Sequence, residues 1–363
     1  MILFATDFDR NKRVVIDAYE SVEWEPHYNE EGSFEIMLPK ELADKVDYGM
    51  VIENSDDLKH QAFVTYKEYD TSDGINSNVK IQGHFLCYLM RYRYVNDLDF
   101  DTVNFDKAIT DCVNTALVAP NRDYDRPFNI KYQDDSMKTV KVSFKADKTE
   151  LLSCTKELCQ AVDFGFSLSL EDNGELTLYF YQGTKKPDVI LSMDRDTATD
   201  VNYYNDIADV GNVFYIIGAP LESSSGEQGD NPVFKFYVGD TEPVGVDRRE
   251  ICVDYSGVSR KTKSGNQLNN TQYSKILFSK LLLNEEGYLG NEVMQSTIPT
   301  EKVSMYGKDF EIGDTIIQQY KRLSLLFETQ ITSVSQSWGE DGYEIEITTS
   351  IKSIPKHYEE VTE

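Results

Sequence analysis

The sequence predicts a β-rich α+β protein, with two related small β-barrel domains and an α+β region between them. Three observations lead there: strand-type alternation fills both ends of the chain, helical periodicity is confined to the middle and to one later insertion, and residues 49–74 are echoed by residues 313–342. At 363 residues the chain is longer than one core usually serves, so several domains are expected. The expected boundaries are 1–95 for a first barrel, 96–186 for the α+β domain, 187–355 for a second barrel with an inserted helix, and 356–363 for a C-terminal tail.

The first ninety residues read as short strands at 13–18, 33–38, 49–54, 61–69 and 77–83. Turn signals at 29–32, 56–57 and 73–74 separate them. In 33–38, Phe34, Ile36 and Leu38 alternate with Ser33, Glu35 and Met37, so one face is apolar, and Pro39 ends the strand. Five such strands suffice for a small barrel.

The period then changes. Residues 104–118 place Phe105, Ile109, Val113 and Leu117 at four-residue spacing, an amphipathic helix stopped by Pro120. A second helix is expected over 148–162, where Leu151, Leu152, Leu158, Cys159 and Val162 form its stripe. Residues 165–170 and 175–181, joined by a turn at 172–174, read as a hairpin. Strands resume at 189–193 and 212–218, 222–232 has loop composition, a helix spans 271–286 before Gly287, and strands close the chain from Val303 to Ile351.

The echo sets GMVIENSDDLKHQAFVTYKEYDTSDG beside GDTIIQQYKRLSLLFETQITSVSQSWGEDG. Each runs strand after glycine, polar turn, longer strand, acidic-glycine turn and alternating closing strand, the pattern a duplicated unit leaves. Identity is low, so similar hairpins of independent origin fit the same letters.

Charge narrows the partners. Lys+Arg number 36 against 63 Asp+Glu, a formal net charge of -27, so phosphate backbones and anionic membranes are repelled. The opening MILFATDFDRNKRVVIDAY carries neither signal peptide nor membrane span. Cys87, Cys112, Cys154, Cys159 and Cys252 are odd in number and irregularly spaced, which fits reduced thiols.

No catalytic, cofactor-binding or metal-binding residues are expected. P-loop, nucleophile-elbow, zincin and dinucleotide motifs are missing, and His27, His60, His84 and His357 stand far apart. Asp97, Asp99 and Asp101 alternate as calcium ligands can, but without the glycine and distal glutamate of an EF-hand they read as a solvated loop. Asp194, Arg195 and Asp196 read as surface charge. Trp24, Tyr28, Tyr92, Tyr94, Tyr203, Tyr204 and Trp338 are candidates for stacking on sugars, against the plainer reading of core and subunit contacts.

Several stretches in order resemble the siphophage tail-hub family, the baseplate-hub or tail-associated-protein core of phages and tail-like particles. They are FDRNKRVVIDAYESVEWEPHYNEEGSFEIMLP, VKIQGHFLCYLMRYRYV, LTLYFYQGTKKPDVILSMDRDTATDVNYYNDIADVGNVFYIIG, REICVDYSGV, TQYSKILFSKLLL, YGKDFEIGDTI and ITSVSQSWGEDGYEIEITTS. The family's acidic-Arg pair after the glycine is here Lys185–Lys186–Pro187.

The resemblance implies a non-enzymatic virion structural protein at the tail tip, assembled in the bacterial host cytoplasm as a homotrimer of two-barrel chains. Three chains would present six barrels, joining a six-fold tail tube or distal tail protein to three-fold tip or fibre proteins. During DNA ejection the acidic lumen would let DNA pass without specific binding. Extra C-terminal lysin modules, found in some relatives, are not expected after KSIPKHYEEVTE. The alternatives are a host-glycan binding module and a cell-wall hydrolase.

Overall fold

The computed structural model describes residues 1–69, 78–118, 128–206, 208–221, 229–262, 265–284, 291–320, 325–339, 342–352 and 357–361. The expected turn at 73–74, the stop at Pro120, most of the loop at 222–232 and the stop at Gly287 lie outside the described residues.

The first stretch supplies β1 (Leu3–Thr6), β2 (Arg13–Ile16), β3 (Ser21–Glu25), β4 (Ser33–Pro39), helix α1 (Lys40–Ala43), β5 (Val51–Asn54), β6 (Asp57–Tyr69) and β7 (Asn78–Phe85). β4 keeps the alternation read from its letters, with Phe34, Ile36 and Leu38 buried. The middle holds β8 (Tyr94–Val95), β9 (Leu98–Asn104), α2 (Phe105–Val113), β10 (Phe128–Tyr132), β11 (Lys141–Ala146), β12 (Thr149–Glu150), α3 (Leu151–Val162), β13 (Gly165–Leu170) and β14 (Leu176–Tyr181). α2 widens into a π turn over Asn114–Val118. α3 starts three residues later than the letters suggested, because Thr149 and Glu150 pair with Val95 and Tyr94 as a strand.

The last stretch gives β15 (Lys185–Ser192), β16 (Asp200–Asp206), β17 (Val213–Ile217), β18 (Val233–Tyr237), β19 (Glu250–Asp254), α4 (Asn270–Asn284), β20 (Asn291–Ile298), β21 (Thr315–Tyr320), β22 (Leu325–Gly339), β23 (Gly342–Lys352) and β24 (His357–Val361). Two expectations are corrected here. The insertion is more than a helix: β19-β17-β18-β24 form their own sheet. Phe214, Ile216, Phe234 and Phe236 of that sheet share a core with Tyr273, Ile276, Leu277 and Leu281 of α4. The expected C-terminal tail is instead β24, which pairs antiparallel with β18 from Val233↔Val361 to Tyr237↔His357. A five-residue segment at a chain end has too short a period to reveal a partner more than a hundred residues away.

The echo is a structural repeat. Strand order is β1-β5-β6-β7-β4-β3 in the first unit and β15-β21-β22-β23-β20-β16 in the second, so corresponding strands come in the same chain order. Local detail agrees as well. Gly49 N–H donates to the Val64 carbonyl and Val64 N–H to that of Met50; Gly313 donates to Ile331 and Ile331 to Asp314. Both glycines have positive φ, 78° and 90°, where a side chain is strained. A β-bulge falls at Thr65 in β6 and at Thr332 in β22. Pro39 caps α1, and Pro299 caps the 3-10 turn Thr300–Met305 at the same place in the second unit. One difference is that β1 runs antiparallel to β5 whereas β15 runs parallel to β21.

The described strands of the two units join through β3 and β22 into a continuous 13-stranded sheet. One apolar cluster runs from Leu3 through α2 and α3 to Phe180, and a second surrounds Ile316, Ile331, Val334, Ile345 and Ile347. Tyr28 ties the first unit to both the middle and the second unit. Its hydroxyl donates to the Asp163 carbonyl at 2.9 Å and accepts from Gly183 N–H, and its backbone N–H donates to the Thr332 carbonyl at 2.9 Å.

Glycine is required where these parts meet. A Cβ on Gly183 would stand 1.8 Å from the Gly313 carbonyl oxygen, whereas one on Gly257 meets nothing within 4 Å. Gly183→Ala is therefore expected to destabilise by about 1–3 kcal/mol or more and Gly257→Ala to be near neutral. Equal denaturation midpoints for the two variants would refute this packing.

Candidate functional site

The sheet has a buried side and a polar side, and the polar side crosses both repeats. From the second unit, Asp200 lies opposite Thr297, Thr297 opposite Glu346, and Glu346 opposite Ser335. In the neighbouring register Glu344 faces Ser337, Ser337 faces Glu23, Glu23 faces Glu35, Glu35 faces Gln82, and Gln82 faces Tyr66. All of these side chains are exposed or half-buried. They point this way because Val22, Trp24, Ile36, Ile81, Ile345 and Ile347, their neighbours along the strands, are buried.

Electrostatics follow from the row. Lys80 bridges to Glu35 at 3.0 Å, and the Gln82 side-chain amide donates to Glu35 at 2.7 Å. Glu346 titrates above the ordinary carboxylate range, first because it is partly buried, then because Glu344, Glu25 and Asp200 repel its charge. An open groove of about 390 Å³ follows the first-unit part of the row, lined by Glu23, Glu25, Glu35, Thr65, Tyr66 and His84 among others. Its field reaches about a Debye length, roughly 10 Å at 0.1 M salt, so it acts on whatever touches the wall.

A second feature lies between the repeats. Asp57 and His60 of β6, Tyr179 and Tyr181 of β14, and Tyr306 and Asp314 of the second unit line a cavity of about 580 Å³. Burial alone would raise the Asp57 carboxyl, yet the His60 ring at 2.9 Å and Trp24 Nε1 at 3.0 Å hold it below the ordinary value. Among the described residues His60 Nε2 has no hydrogen-bond partner. An oriented imidazole is present, and among the described residues no hydroxyl or thiol is bonded to it. Sequence reading missed this pair; the signal was Asp and His three apart at the start of β6, which gains meaning only from Trp24, distant in sequence.

The residues weighed from the sequence scatter. Trp24 and Tyr28 are core, Tyr203 stacks on Phe327, and Trp338 stacks on Tyr343. Tyr92, Tyr94 and Tyr204 are exposed, and no ring contact among the described residues joins the seven into one platform. Asp99 and Asp101 lie on β9 and not in a loop, the Asp99 side chain is buried against Lys145 at 3.3 Å, and Asp97 occupies a left-handed turn. Asp194, Arg195 and Asp196 are exposed on one turn. His27 bonds Glu25 and His84 stacks on Tyr88, while the side chain of His357 lies outside the description. Cys87, Cys112, Cys154 and Cys159 are buried free thiols, and Cys252 is exposed. Among the described residues no three His, Cys, Asp or Glu side chains meet as metal ligands, and no helix is long and apolar enough to cross a membrane.

The fold is similar to that of solved phage tail proteins. The prophage tail protein gp18 from Listeria monocytogenes matches with a TM-score of 0.56 at 16% identity, covering 97% of this chain and 95% of that one. The tail protein from Neisseria meningitidis gives 0.60 at 11% identity, with 97% of each chain covered. The 43 kDa tail protein of prophage MuSo2 from Shewanella oneidensis gives 0.57 at 11%, with 96% and 97% covered. At such identities the likeness is one of fold. Sequence places the chain more closely: it belongs to the siphovirus ReqiPepy6 Gp37-like protein family, matched over residues 2–349. No curated protein matches it in sequence.

Proposed function

We propose that the chain is the hub at the tail tip, a non-enzymatic homotrimeric ring joining the six-fold tube or distal tail protein to three-fold tip or fibre proteins. The observation that carries this is the repeat. One chain presents two units with the same strand order and the same glycine, bulge and proline positions, so three chains present six similar units to a six-fold neighbour while keeping a three-fold axis. In this reading each unit closes as a small barrel in the ring, within the limits 1–95 and 187–355.

The acidic row supplies the second part. Turned toward the axis, Glu23, Glu35, Glu344 and Glu346 line the DNA exit channel with like charge, so that ejected DNA slides without binding. Wild-type protein is expected to retain no duplex DNA at about 0.1 M salt. Replacing those four glutamates by lysine should create retention that weakens log-linearly with salt. Retention of duplex by the wild type at moderate salt would overturn the channel assignment.

A further inference from the structure

The two repeats are joined by a contact of which the chain carries the same two halves a second time, and among the described residues that second pair of halves does not meet. In the internal junction β3 lies along the end of β22: Trp24 opposes Gln336, Glu23 opposes Ser337, Val22 opposes Trp338, and His27 bridges Ser333. The repeat assigns counterparts to both sides. Trp24 sits opposite Phe34, which sits opposite Gly83, next to Val64; Tyr203 sits opposite Met294, which sits opposite Thr349, next to Ile331. Tyr203 of β16 thus takes the place of Trp24, and Asp206 that of His27. Counting from Val64 and Ile331, Tyr69 of β6 takes the place of Gln336, and Tyr66 that of Ser333.

Among the described residues these counterparts do not meet. β16 pairs only with β20, which leaves its outer edge without a strand partner. β6 at Tyr66 and Tyr69 pairs only with β7, whereas of their counterparts in β22 Gln336 also pairs with Trp24 of β3 and Ser333 bridges to His27. Within one chain the two edges lie on opposite sides of β20-β23-β22-β3-β4-β7. Tyr66, Tyr69 and Tyr204 are each close to half exposed, the aromatic surface an association would cover.

We propose that β16 of one copy adds as an antiparallel strand to the Tyr66–Tyr69 end of β6 in the next copy, with Tyr203 opposite Tyr69 and Asp206 opposite Tyr66. The occupant is a second copy of this chain, because that copy alone carries a strand whose counterpart already fills the equivalent edge. The contact is head-to-tail, so repetition closes a ring when the rotation allows. It deepens the ring reading above and rests on it for the number of copies, whereas the pairing itself follows from the repeat.

Cysteine exchange tests it. Directly opposed residues of an antiparallel pair have Cα atoms about 4.5–5.5 Å apart, within the range a disulfide spans. Full-length Cys252→Ser protein carrying Tyr69→Cys is mixed with the same protein carrying Tyr203→Cys and oxidised at about 0.15 M salt, where repulsion between the acidic chains is screened. The expected product is the mixed 69–203 disulfide, on the order of tenfold or more over like–like links, since a formed contact raises the local thiol concentration to the millimolar range. Tyr66→Cys with Asp206→Cys is the second pair, in case Tyr203→Cys, by losing its stack on Phe327, fails to fold.

Sedimentation of the same samples separates the outcomes. Mixed links confined to one closed multimer support both contact and ring. Mixed links in a double variant that grow into an open ladder keep the contact and defeat the ring. Multimers without mixed links in either pair overturn the contact and leave the ring standing, and a monomer without links overturns the contact.

Discussion

Tyr28→Ala is expected to lower the unfolding free energy by about 3–5 kcal/mol, the range for truncating a fully buried aromatic. The ring is 1% exposed and packs edge-on against Tyr181 at 5.6 Å. Glycine is kept at 165 and 313 because a Cβ there would stand 2.5 and 2.3 Å from its ring carbons. Tyr28→Phe keeps the volume and loses the hydroxyl's bonds to Asp163 and Gly183, so about 1–3 kcal/mol is expected. Denaturant unfolding measures both. If alanine costs no more than phenylalanine, Tyr28 is not the packed link between the first unit, the middle and the second unit.

The second large effect is at a buried ion pair. Glu157 of α3 is almost wholly enclosed and takes a 2.6 Å bond from Lys280 of α4, tying the inserted helix to the middle core. Burial pushes the Glu157 carboxyl above its ordinary value, and Lys280 pulls it back. Lys280→Ala strands the carboxylate and is expected to cost about 3–5 kcal/mol near neutral pH. With the folded pKa raised above the unfolded one, the folded state holds its proton longer. Stability in the variant should therefore fall as pH rises through the ordinary glutamate value toward the raised one, and then level off. Adding Glu157→Gln to Lys280→Ala should recover most of the loss and flatten that slope. A double variant as unstable as Lys280→Ala would show that packing, not stranded charge, sets the cost.

Locally coded features were legible in the sequence. The alternation of Phe34, Ile36 and Leu38, the four-residue spacing from Phe105 to Val113 and the hairpin over 165–181 are set by neighbours within one element, and the structure keeps them. Non-local pairings were not legible. The β3–β22 junction joins residues some three hundred positions apart, and β24 reaches back to β18, with no period to announce either. The echo lay between these cases. Its grammar was readable, but Pro39 with Pro299 and Thr65 with Thr332 became equivalent only once register aligned them. The acidic row had the same limit. Total charge was evident, but the alignment of Glu23, Glu35, Glu344 and Glu346 on one face needed the pairing of four strands from two repeats.

Two like units per chain are proposed to build a ring with an acidic channel. Imaging of the assembled tail at side-chain resolution, with copies counted by mass, tests it most directly. The expected image has three copies around one axis, six similar units facing the tube, and the Glu23–Glu35 and Glu344–Glu346 face turned inward. A single copy at the tip, or a channel lined instead by Lys and Arg and holding duplex DNA at moderate salt, would contradict it.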